Sequence, residues 1–83
     1  MQAIRLKHGV IFVKKDGVTV RINANGECEI SPILFESLEW DLRTEPPSQW
    51  DYITEGDVMA LGEETYNQLL DFINKTNDLI YNK

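Results

Sequence analysis

Apolar and polar residues alternate through roughly the first thirty positions and then change to a spacing of three and four. This predicts a strand-forming half followed by a helix-forming half. Val10 to Lys15 and Val18 to Asn23 flank Asp16-Gly17, a pair that accepts the positive φ angles of a type I′ turn, and so form a hairpin. A two-residue loop there sets Val13 opposite Val20 and Ile11 opposite Ile22 on one face, with Phe12 opposite Arg21 on the other. Ala24-Asn25-Gly26 suits a three-residue loop ending in a left-handed glycine, which puts Ile22 opposite Cys28, Val20 opposite Ile30 and Arg21 opposite Glu29. His8-Gly9 as a two-residue loop places Leu6 against Ile11 and Ile4 against Val13, with Arg5 beside Phe12. The core face expected from these turns holds Ile4, Leu6, Ile11, Val13, Val18, Val20, Ile22, Cys28 and Ile30. The other face carries Arg5, Lys7, Phe12, Lys14, Arg21, Asn23, Glu27 and Glu29.

Ser31-Pro32 offers an N-cap followed by a proline in the first helical position, and Ile33, Leu34, Leu38 and Leu42 give a short apolar stripe, predicting a helix from Pro32 to about Leu42. Pro46-Pro47 stops it, and residues 44–56 read as an irregular acidic and aromatic segment. From Glu63 to Ile80 the residues Tyr66, Leu69, Leu70, Ile73, Leu79 and Ile80 recur at helical spacing, with Glu63-Glu64 complementing the dipole at the N-terminus. Val58 to Leu61 can extend this helix forward with Asp57 as its cap, or not; Gly56 and Gly62 weigh against it. The fold class is therefore α+β. Residues 1–83 form one domain, with a four-stranded antiparallel β-meander in 1–30 packed on one face by two helices from 31–83.

Composition adds constraints. Eighty-three residues make a single small core, and scaffolds of this size draw only about 3 to 5 kcal/mol from the core alone. Cys28 is the sole cysteine, so an internal disulfide and a cysteine-based zinc site are excluded, and self-association is the staple that remains. The chain holds neither an apolar run of membrane-spanning length nor a signal-like N-terminal stretch, so the expected address is the cytoplasm. Asn74-Lys75-Thr76 matches a glycosylation sequon by chance, inside a helical pattern. The net charge of −6 is unevenly spread: residues 1–26 hold five bases against one acid, a balance of +4, and residues 27–83 hold thirteen acids against three bases, a balance of −10. Such polarity steers partners.

Candidate chemistry is sparse. His8 is the only histidine and falls in a turn; Ser31, Ser37 and Ser48 have no glycine elbow around them; the glycines at 9, 17 and 26 serve turns, and no glycine-rich loop opens a helix to cradle phosphate. No catalytic residue, metal ligand set or cofactor is assigned, and the chain reads as a non-enzyme. Two surfaces stand out instead. Arg5, Phe12, Lys14 and Arg21 share the outer sheet face and resemble in composition a nucleic-acid platform, in which an aromatic stacks a base between phosphate-binding cations. Arginine stems covering a surface aromatic explain the same pattern.

The segment from Glu36 to Asp57 gathers seven acids around Trp40, Trp50 and Tyr52, and Glu36, Glu39, Trp40, Asp41, Glu45, Trp50, Asp51 and Tyr52 form the candidate partner-binding set. One or both tryptophans can instead fold back to close the core. The leading expectation is a small acidic protein-binding module or inhibitor that engages a basic protein, through carboxylates imitating the phosphates of nucleic acid. Nucleic-acid binding through the basic face ranks below it, given the charge of the rest of the chain. An assembly subunit that self-associates as a homodimer or larger homo-oligomer, burying the sheet's outer face or an edge strand, is the third reading.

Overall fold

The computed structural model of the chain describes residues 1–44 and 49–81, the side chains of residues 80 and 81 excepted. Strands β1 (Gln2–Leu6), β2 (Ile11–Lys15), β3 (Val18–Ile22) and β4 (Cys28–Ile30) form the meander and are followed by helix α1 (Phe35–Thr44), strand β5 (Trp50–Ile53), and helices α2 (Glu55–Met59) and α3 (Glu63–Tyr81). All strand pairs are antiparallel, in the order β4-β3-β2-β1-β5. The α+β meander with C-terminal helices is as expected. A fifth strand and a second covered face enlarge it.

The two turns read as hairpins at Asp16-Gly17 and Ala24-Asn25-Gly26 have the expected registers, with Val13 opposite Val20 and Ile22 opposite Cys28. The first hairpin differs by one residue. Leu6 N–H donates to Val10 C=O at 2.8 Å and Gly9 N–H to Leu6 C=O at 3.1 Å, so the loop is Lys7-His8-Gly9 with Gly9 at φ +84°, the same three-residue form that closes on Gly26. Arg5 therefore stands opposite Ile11, Ile4 opposite Phe12 and Ala3 opposite Val13. Because side chains alternate, this single step moves Ile4 and Leu6 to the face of Phe12, and puts Ala3 and Arg5 on the face where Ile4 and Leu6 were expected, so Arg5 leaves the outer face expected for it.

The sheet consequently has two apolar faces. Ala3, Ile11, Val13, Val18, Val20 and Ile22 pack against Val58 of α2 and Leu69 and Ile73 of α3. On the other side Ile4 and Phe12 are buried with Phe35 and Leu38 of α1, and Leu6, Val10, Leu42 and Trp50 close the rim. The helices thus cover both faces, where one-sided packing was expected; leaving Ile4 and Phe12 in water would cost roughly 1.5 to 3 kcal/mol each.

Helix α1 begins three residues later than Pro32. The Ser31 hydroxyl accepts from Ile33 N–H at 3.2 Å and donates to Ile33 C=O at 2.6 Å, holding a local turn, and Leu34 C=O takes the first helical bond from Leu38 N–H. The buried stripe is Phe35 and Leu38, while Ile33 and Leu34 are exposed. Strand β5 and the start of α2 lie within the stretch expected to be irregular; Glu45 falls outside the described residues. Helix α2 is capped by Thr54 and not by Asp57: the Thr54 side chain accepts from Asp57 N–H, and Asp57 at the third position accepts from Thr54 N–H, a reciprocal capping box. In α3 the expected stripe is buried at Leu69 and Ile73 and half-buried at Tyr66 and Leu70, but Leu79 is exposed.

Candidate functional site

Helix α1 amounts to one buried stripe with polar flanks. Phe35, Leu38 and Leu42 point to the sheet, and Trp40, some 140° to 200° around the helix from each of them, faces away and is 68% exposed. Glu36 lies one turn before Trp40, and Asp41 borders the outer face. The side of α1 nearer β5 carries Glu39 and Arg43.

Strand β5 completes this surface. It pairs with β1 so that Trp50 stands opposite Leu6 and Tyr52 opposite Ile4, which sends both aromatic side chains to the α1 face. Trp50 and Tyr52 meet edge-to-face with ring centroids 5.0 Å apart. The Tyr52 hydroxyl donates to Glu39 Oε2 at 2.6 Å and accepts from Arg43 at 2.7 Å, while Arg43 lies 3.8 Å from the same carboxylate and 6.0 Å from the ring centroid. Trp50 is half-buried against the second core and Tyr52 is half exposed. One tryptophan has thus folded back and the other has not.

The remaining acids are distributed around this assembly. Glu36 pairs with Lys14 of the central strand β2; the hydrogen bond from that ammonium, helped by the Glu36 backbone N–H, holds the carboxyl below its ordinary range. Asp51 points to the α2 side and lies 3.8 Å from Arg5, a wet contact of small energy. Of the eight candidate residues, Glu36, Glu39, Trp40, Asp41, Trp50 and Tyr52 are therefore carried by α1 and its neighbouring strand. Asp51 lies on the opposite face, and Glu45 lies outside the described residues.

The candidate nucleic-acid set is separated. Phe12 is 5% exposed beneath α1, so its ring is not available to stack a base. Arg5 is on the other face, Lys14 is held by Glu36, and Arg21 by Glu29 at 2.5 Å. Arg43 is the member of the site that composition alone did not single out; its position four residues after Glu39 was the available signal.

Other features offer little chemistry. A shallow hollow of about 440 Å³ lies at the end of β1 and the start of β5, between Arg5, Lys7, Trp50 and Asp51. Among the described residues no group of three or more His, Cys, Asp or Glu side chains is placed to hold a metal ion, and no helix is long and apolar enough to cross a membrane. Comparison with protein families, curated proteins and solved structures finds no match to this chain.

Proposed function

We propose that the chain is a non-enzymatic protein-binding module whose α1–β5 surface engages a basic partner. The observation that carries this reading is Trp40: a large aromatic that is 68% exposed on a helix whose other large apolar residues are used by the core. Tryptophan is the residue most enriched among interface hot spots, where it fills a pocket on a partner and is sealed from water by polar neighbours. Glu36 and Asp41 beside it, within residues 27–83 whose charge balance is −10, favour a cationic partner and speed its encounter. A rigid platform supports the contact, because α1 is clamped from below by Phe35 and Leu38 and from the side by the Glu39–Tyr52–Arg43 bonds.

The test is affinity capture of the tagged chain from nuclease-treated lysate at low and moderate salt, followed by titration of the purified captured protein. Wild-type chain is expected to retain a basic protein with an affinity that falls as salt rises, and Trp40→Ala, still folded by circular dichroism, is expected to lose it. Capture that survives Trp40→Ala, or a wild-type chain that retains no basic protein, overturns the reading.

A further inference from the structure

The outer edge of β4 is built for pairing. Asn23 N–H donates to Glu27 C=O and Ser31 N–H to Thr19 C=O, both at 3.0 Å, so Glu27, Glu29 and Ser31 turn their backbone groups toward β3. Cys28 and Ile30 turn theirs the other way, and among the described residues no strand lies beyond them. Apolar side chains accompany these open groups. Ile30 is 52% exposed and Leu34 69%, and with Val18, Thr19, Ile33 and Thr76 they line a groove of about 160 Å³ at the end of the strand.

We propose that this edge pairs with the β4 edge of a second copy of the chain, antiparallel about a two-fold axis through Glu29. Three observations select that occupant and register. Only two residues present open backbone groups in line, and a two-fold at Glu29 sets Cys28 of each copy opposite Ile30 of the other, satisfying all of them with one another. The neighbouring registers fail: one brings in Pro32, which has no N–H, and the other brings in Gly26, whose N–H is already bonded to Asn23 C=O.

Charge is the third observation. A molecule of net charge −6 repels its own copies, but here Glu29 is held by Arg21 at 2.5 Å. Across the axis the order becomes Arg21, Glu29, then the partner's Glu29 and the partner's Arg21, a row of zero net charge that offsets the approach of the two carboxylates. An isologous contact of this kind closes on itself, so it yields a dimer and not a fibre. The contact uses a different surface from Trp40 and is independent of the basic-partner reading.

Sedimentation equilibrium of the purified full chain across a dilution series reads the assembly, and a cysteine placed on the axis reads the register. Wild-type chain is expected to shift from dimer to monomer on dilution, and Ile30→Asp to raise the dissociation constant at least tenfold. In a Cys28→Ser background, Glu29→Cys is expected to form an intermolecular disulfide under mild oxidation, because facing residues of a non-hydrogen-bonded pair sit about 4.5 Å apart at Cα. Glu27→Cys in the same background is expected not to, since the two copies of that position lie about 13 Å apart along the strands. A wild-type chain that stays monomeric, a dimer indifferent to Ile30→Asp, or equal cross-linking at 27 and 29 overturns the proposal.

Discussion

Tyr52 donates its hydroxyl proton to Glu39 Oε2 at 2.6 Å, a bond that spans from an edge strand to a helix thirteen residues earlier. Arg43 completes it by donating to the same hydroxyl at 2.7 Å. Strand β5 bonds to the sheet along β1, and this side-chain bridge ties its exposed half to α1. The helix that carries Trp40 is thereby fixed relative to the sheet at two places, by core packing and by this bridge.

Tyr52→Phe keeps the ring and its edge-to-face contact with Trp50 while removing both bonds. The expected loss is about 0.5 to 1.5 kcal/mol, the usual net worth of a hydrogen bond in a partly hydrated place. Urea unfolding checks it: the midpoint should fall with an unchanged slope, and an unchanged midpoint would mean the bridge adds nothing.

Phe12 carries a heavier load. It is buried between the sheet and α1 with Ile4, Phe35 and Leu38, so Phe12→Ala is expected to cost about 3 to 5 kcal/mol. That equals the whole stability expected of a core this small. Circular dichroism at room temperature should find the variant largely unfolded; a folded variant with a near-normal melting temperature would contradict the second core.

Why Phe12 reads as a surface residue from sequence lies in one turn. At Ala24-Asn25-Gly26 the pattern of Ile22, Cys28 and Ile30 selects the three-residue loop, because the alternative sets Ile22 against Glu29. At Lys7-His8-Gly9 both registers match apolar to apolar, Leu6 to Ile11 or Leu6 to Val10, so local pairing does not discriminate. What decides is α1, which needs an apolar sheet face, and that helix begins only at Phe35, far along the chain from this turn. Strand β5 was hidden for a related reason. It adds to β1 some forty-five residues earlier, with no hairpin turn to announce it, and its Trp-Asp-Tyr-Ile alternation is too short to stand apart from the acids around it. The exposure of Trp40 and burial of Trp50 follow from the same two elements, since neither is assigned a face until α1 and β5 are placed.

The capping box of α2 gives the chain an acid-sensitive joint. The hydrogen bonds from Thr54, backbone first and hydroxyl second, hold the Asp57 carboxyl below its ordinary range. A lowered folded-state value means stability that is present above the unfolded value of about 3.9 and lost as pH falls through the folded one. Stability measured by urea from pH 7 down to pH 2 should therefore decline on the acid side, and Asp57→Asn should make that decline shallower. Thr54→Ala should remove about 1 kcal/mol at neutral pH. A decline of equal steepness in Asp57→Asn would place the acid sensitivity elsewhere.

Tyr66 sets a corresponding limit on the alkaline side. Its hydroxyl donates to Glu55 Oε1 at 2.6 Å, linking α3 to α2, and that bond together with the carboxylate charge raises the phenol above its ordinary range. A raised value means the folded state holds its proton longer, so this stability is present below about pH 10 and lost as pH rises through the folded value. Thermal unfolding between pH 8 and pH 11 should show the loss in wild-type chain and a smaller one in Tyr66→Phe. Parallel curves would show that the bond does not contribute.

The two tryptophans should separate stability from recognition. Trp50 is half-buried against the second core and meets Tyr52 at its edge, so Trp50→Ala is expected to cost about 2 kcal/mol, roughly half the loss for a fully buried aromatic. Trp40 is 68% exposed on the outer side of α1, and Trp40→Ala should change stability by no more than about 0.5 kcal/mol. Because these are the only tryptophans, each single variant also isolates the fluorescence of the other. Iodide should quench the emission of Trp50→Ala, which retains Trp40, more strongly than that of Trp40→Ala. Adding the captured basic protein should then protect Trp40 from quencher in the Trp50→Ala background while leaving the emission of Trp40→Ala unchanged. Protection of Trp50 instead would move the contact from α1 to the β1–β5 hollow.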